Sequence, residues 1–205
     1  SEVSPDGSYK LFDIRYAQYL RGEYNASYNQ IIDKNNKFVY HMGLGLGIPY
    51  GNADIIPFER RFYSGGANSV RGWGESRLGP GVYVERQDVP TRDYNQVGDI
   101  KLDLNMEYRV KLFWLLEGAL FLDGGNIWTI KDYPEQPGGA FKLDSFMNQI
   151  AIAYGAGIRM DFSFFVARLD MGVRLFNPAL SRREQWRINP VSDDFAFHIA
   201  IGYPF

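Results

Sequence analysis

A period of two constrains this chain more than any other feature. In "IKLDLNMEYRVKL", Ile100, Leu102, Leu104, Met106, Tyr108, Val110 and Leu112 share one parity, and Lys101, Asp103, Asn105, Glu107, Arg109 and Lys111 hold the other. Successive strand side chains point to opposite faces, so the run predicts a strand with one apolar and one charged face. The same alternation recurs over 38–48, 114–123, 150–162, 165–175 and 195–205. In the last of these, Phe195, Phe197, Ile199, Ile201, Tyr203 and Phe205 fall on the apolar parity, opposite Ala196, His198, Ala200, Gly202 and Pro204. A first strand is predicted in about 9–31, with Phe12, Ile14, Tyr16, Leu20, Tyr24 and Tyr28 in phase.

A soluble β-sandwich also alternates. Two observations favour a membrane barrel instead. The polar faces hold charges and glycines, while the apolar faces carry large side chains with aromatics near their ends, as lipid-facing strands do. Several runs extend over 11 to 13 residues, longer than the usual soluble strand of about 5–6 and close to the ~9–11 that cross a bilayer at a tilt. No stretch approaches the roughly 18 apolar residues of a spanning helix. The start "SEVSPDGSYK" has no apolar signal segment.

The connections agree with an antiparallel transmembrane β-barrel. Short links at 33–37, 110–113 and 161–164 alternate with long ones at 50–98, 126–148 and 176–193. Outer-membrane barrels have short periplasmic turns and long external loops. Counting strands gives about seven, whereas single-chain bacterial barrels have an even number, so the chain is expected to be the C-terminal part of something larger.

Chemistry-bearing groups are few. The 205 residues hold no cysteine and two histidines, His41 and His198, so no thiolate chemistry and no metal site of three or four ligands is expected. A net charge of -2 argues against a nucleic-acid partner. "GLGLG" (43–47) and "YGAGIR" (154–159) lie inside alternating strands with no helix after them, which reads as small residues on an inward face rather than a nucleotide loop. Glu107 and Asp123 share inward parity on neighbouring strands. Such a pair can serve acid–base hydrolysis, but no supporting group accompanies it, and charge compensation inside a barrel is the reading preferred. No catalytic residue, cofactor or enzymatic activity is expected.

The stretch "FERRFYSGGANSVRGWGESRLGPG" (58–81) carries six glycines and four arginines. Within it, "GGANSVRGW" resembles the Val-Arg-Gly-aromatic motif in the sixth external loop of the BamA/TamA family of outer-membrane assembly proteins. "FLDGGNIW" (121–128) is similar to that family's Phe-x-Asp-x-Gly strand motif, and "NMEYR" (105–109) to its glutamate-bearing strand. The ending "FAFHIAIGYPF" resembles its C-terminal targeting signal. Trp73 stands where the family often has Phe, a conservative change.

The resemblance implies an integral outer-membrane barrel of about 16 strands preceded by periplasmic POTRA domains, of which residues 1–205 are the C-terminal part. It implies that loop 50–98 folds into the lumen, where Val70, Arg71, Gly72 and Trp73 form a lock motif and Arg71 pairs with Glu107 and Asp123. It implies a function, the folding and insertion of other barrel proteins without ATP through a lateral seam, to which Phe197, Ile199, Ile201, Gly202 and Phe205 contribute. The implied partners are the outer-membrane bilayer, nascent β-barrel clients, and periplasmic or lipoprotein accessory subunits. Related barrels also serve two-partner secretion transporters and patatin-type phospholipases, so those remain as alternatives.

Overall fold

Alternating sequence runs become one antiparallel sheet. The structure, a computed structural model, describes residues 2–3, 9–11, 14–83 and 96–205. Three short strands, β1 (Glu2–Val3), β2 (Tyr9–Leu11) and β3 (Ile14–Arg15), pair with one another in a small sheet. The main sheet has seven strands: β4 (Gln18–Ile31), β5 (Asn36–Tyr50), β6 (Ile100–Phe113), β7 (Leu116–Trp128), β8 (Ala151–Asp161), β9 (Val166–Phe176) and β10 (Phe195–Ile201). Each pairs with its neighbour in sequence, leaving β4 and β10 at the edges. β4 to β9 run 11 to 15 residues each, enough to cross a hydrocarbon core of ~30 Å at a tilt.

Burial along these strands is inverted relative to a soluble protein. Asp103, Asn105, Glu107, Arg109, Asp123, Arg159, Arg168 and Asp170 are buried, while Leu104, Met106, Leu120, Leu122, Ile158, Leu169 and Ile199 are exposed. Apolar surface left in water costs roughly 25 cal/mol per Å², so a sheet with its large apolar side chains outward suits a bilayer. The sheet is a partial barrel, with charges and packed loop on its inner face.

The structure departs from the sequence expectation at three places. The first strand does not run unbroken from residue 9: the long strand starts at Gln18, and Ile14 belongs to β3, paired with β2. Phe12 lies outside the described residues. In β9 the alternation slips one residue, because Ile152 pairs with Phe176 while Ala153 pairs with Arg174. The extra residue, Leu175, is a bulge, and Phe176 takes the outward side with Ile152.

The third departure is the end of the chain. Tyr203 and Phe205 share parity with the outward Ile199 and Ile201, yet they turn to the inner face. β10 stops at Ile201, and Gly202 adopts φ +88°, a left-handed conformation that favours glycine. Beyond it the Tyr203 hydroxyl donates to Glu117 Oε2 at 3.2 Å, and its ring lies 4.6 Å from the Arg109 guanidinium carbon. The Phe205 ring stacks on His41, with centroids 5.0 Å apart.

Candidate functional site

The inner wall is built from alternate residues of five strands. Register sets Asn105 of β6 opposite Asp123 of β7, Glu107 opposite Phe121, and Arg159 of β8 opposite Arg168 of β9. Because every second side chain faces inward, these groups converge on one patch without any local turn. Onto the patch is laid the segment Ser64–Leu78, anchored at its ends by an antiparallel bridge between those two residues.

Arg71 is the centre of the contact and is fully buried. Its Nε donates to Asp123 Oδ2 at 2.8 Å and its Nη2 to Asp123 Oδ1 at 2.9 Å. Here the planar guanidinium matches both carboxylate oxygens at once, a geometry a lysine cannot reproduce. The Arg71 backbone N–H also donates to Asp123 Oδ2, at 3.1 Å, and Nη1 donates to Glu107 Oε2 at 2.5 Å. Below the guanidinium lies the Phe121 ring, 3.5 Å from Cζ to centroid, a cation–π contact that is stronger where water is excluded.

Further groups hold the carboxylates. Glu107 Oε1 accepts from Arg109 Nε at 2.7 Å and Arg159 Nη2 at 3.0 Å. Asn105 Nδ2 donates to Asp123 Oδ1 at 2.9 Å and to the Ser69 carbonyl at 2.9 Å. All four oxygens of Glu107 and Asp123 are therefore occupied by cations or amides, an arrangement suited to fixing a loop. Asp170 sits in ion-pair contact with Arg159 at 2.7 Å and Arg168 at 3.1 Å.

The backbone of the motif is held as closely as its side chain. The Arg71 carbonyl oxygen lies 2.9 Å from His198 Nε2 on β10, and the Gly72 carbonyl accepts from Arg174 Nε at 3.0 Å. Arg168 reaches the Ala67 carbonyl at 2.9 Å and the Asn68 side chain, and Ser69 donates to Asp103 Oδ1 at 2.8 Å. A Cβ at Gly172 would run into the Arg71 carbonyl group, so only glycine there permits this approach. Val70 and Trp73 pack with Leu78, Ala151 and Ala153 in one buried apolar cluster.

Val70, Arg71, Gly72, Trp73, Glu107 and Asp123 thus meet at one place. Phe197, Ile199 and Ile201 lie apart from them, exposed on the outer face of β10. Gly202 marks the end of that strand, and Phe205 returns inward to within 5.7 Å of the Arg71 guanidinium carbon. Sequence reasoning did not single out Arg159, Arg168, Asp170, Asn105 or Ser69 as members of the network. Their inward parity was the available signal. A second contact near the external end was also missed, in which Arg61 Nε donates to Asp99 Oδ1 at 3.0 Å.

Comparison with known proteins bears on this geometry. Residues 7–205 match the Omp85 superfamily domain. The chain belongs to the Omp85 superfamily. It is an all-β, integral outer-membrane barrel segment of the BamA/TamA kind. A protein named outer membrane protein assembly factor BamA, from Neisseria meningitidis serogroup B, is 30% identical over 139 residues, covering 65% of this chain and 17% of that protein. The crystal structure of BamA from Haemophilus ducreyi lacking POTRA domains 1–3 matches with a TM-score of 0.62 at 17% identity, over 90% of this chain and 35% of that one. That match speaks for the fold. The chain spans well under half the length of either relative.

Proposed function

We propose that this Omp85 chain is the C-terminal wall of an outer-membrane assembly factor, one that folds and inserts β-barrel clients without ATP and without catalytic chemistry. Its similarity to an assembly factor supports the reading. The observation that carries it is the length of the last strand. β10 has seven residues, short of the ~9–11 a strand needs to cross the bilayer, and its tail leaves the sheet at Gly202. A seam at such a strand is under-paired, and free backbone donors and acceptors accept an added strand. Client chains of alternating sequence are the partners this edge suits, with periplasmic or lipoprotein subunits as accessories.

Residues 1–205 form, in this reading, the C-terminal part of the barrel domain, with loop 50–98 held in the lumen. Residues 84–95 of that loop lie outside the described residues. The Val70–Trp73 motif is the lock, and Glu107 and Asp123 are its seat. Arg71 also touches β10 through His198, so the lock and the seam share a strand.

Disulfide trapping tests the seam. Single cysteines along β10 of the full-length protein are paired with cysteines in the last strand of a client arrested during assembly. Register-specific cross-links at the β10 edge are expected, with yields rising toward Ile201. Equal, register-independent yields along β10 and on the outer face of β7 would contradict a seam at β10.

A further inference from the structure

The external ends of β8 and β9 carry a groove that the assembly reading does not use. It has a volume of about 770 Å³ and is lined by Met147, Ile150, Ile152, Phe176 and Trp186, with Arg182, Asn148 and Gln185 on its polar side. That volume lies within the roughly 300–1,000 Å³ of small-molecule sites.

We infer that this groove binds a phosphate-bearing lipid of the external leaflet, its acyl chain against Ile152, Phe176 and Trp186 and its phosphate on Arg182. Continuity with the bilayer-facing surface is the first ground. The β9 bulge turns Phe176 to the outward side, paired with Ile152, and Trp186 bridges to Phe176 from the loop after β9. Their rings lie 5.0 Å apart. Trp186 is 56% exposed and Met147 66% exposed, and exposed tryptophans collect at the level of lipid headgroups.

Charge is the second ground. The loop segment 182–187 holds Arg182, Arg183 and Arg187 against Glu184 alone. Arg187 is committed to Asp194, its Nη2 2.9 Å from Oδ2, and Glu184 accepts from Ser181. Arg182 and Arg183 are exposed. A guanidinium beside an apolar slot offers a phosphate two parallel donors while the slot takes the chain. One lining residue is fixed from inside: Trp128 Nε1 donates to Gln149 Oε1 at 2.6 Å, and the Trp128 ring meets Phe141 and Phe146 edge to face.

Native mass spectrometry of the full-length protein, released from neutral detergent micelles doped with lipid A, tests the inference. Wild type should retain one lipid A saturably, Arg182→Gln should weaken retention about tenfold, Arg182→Lys should recover part of it, and Trp186→Ala should weaken it as well. Lipid A stripped of phosphate should be lost from wild type, and millimolar inorganic phosphate should compete only weakly. Heat-modified gel mobility confirms that each variant is folded. Equal retention by wild type and the folded Arg182→Gln variant would overturn the inference. So would equal retention of dephosphorylated lipid A, or full displacement by inorganic phosphate, which would make the site one for the free anion.

Discussion

At the scale of single residues, the arrangement around Arg71 combines full burial with carboxylates whose oxygens are all engaged. The cost of taking a guanidinium and two carboxylates out of water is large, and it is offset only when every donor and acceptor finds a partner. Arg71 approaches that condition with three side-chain bonds to Asp123 and Glu107 and a ring beneath it. Arg71→Ala should therefore leave Glu107 and Asp123 under-compensated and destabilise the seated loop by about 3–5 kcal/mol. Faster protease cleavage between residues 58 and 81 should report it. Arg71→Lys should restore little, since one ammonium cannot span Asp123 and Glu107 together. Cleavage at the wild-type rate in both variants would contradict the lock.

Much of this site is legible in the sequence. Parity alone turns Glu107 and Asp123 inward, and the Val-Arg-Gly-aromatic motif picks out Arg71. What parity cannot supply is distance across the barrel. Arg168 lies 101 residues from Ala67 and His198 lies 127 from Arg71, so their contacts depend on strand register that no local pattern encodes. His198 looked like an isolated polar residue for that reason.

At the scale of elements, strand interiors follow the alternation and strand ends do not. β6 keeps its phase over the whole of Ile100–Val110 because both of its faces are in use. β9 loses phase at Leu175, where the loop after it folds back and Arg187 N donates to the Leu175 carbonyl. The tail loses phase at Gly202, where one left-handed residue reverses the facing of everything beyond. Gly202→Ala strains this reversal. A fluorinated phenylalanine at position 205 should then show its ¹⁹F resonance shifting from the His41-stacked position toward that of a solvent-exposed ring. An unchanged shift would mean that other contacts enforce the turn.

The loop before β10 has its own pH dependence. Burial pushes the Asp194 carboxyl up, but the hydrogen bonds from Arg187 and the Val191 amide, with the charges of Arg187 and Arg174, outweigh it and hold it below the ordinary 3.8. A lowered folded value means that stabilisation is full above the ordinary value and fades as pH falls through the lowered one. The loop should stay closed from neutrality down to about pH 4 and loosen below it. Trp186 fluorescence should follow that transition, and Asp194→Asn should remove it while leaving a looser loop at neutral pH.

At the scale of the molecule, the inside-out sheet, the seated loop and the short last strand belong together. The apolar exterior settles the protein in a bilayer, the charged interior gives the loop a place to bind, and the bound loop lies against a wall that ends in a strand of seven residues. In the proposed assembly function that contact would brace the barrel, because a barrel open at one seam loses the ladder bonds that otherwise close it. The most direct test of assembly is reconstitution. The full-length protein in liposomes is mixed with a urea-unfolded β-barrel client, and folding is followed by heat-modified mobility with no nucleotide present. Client folding should run at least about tenfold faster than in empty liposomes, with Arg71→Ala removing most of the gain. Folding no faster than in empty liposomes would contradict the assembly function.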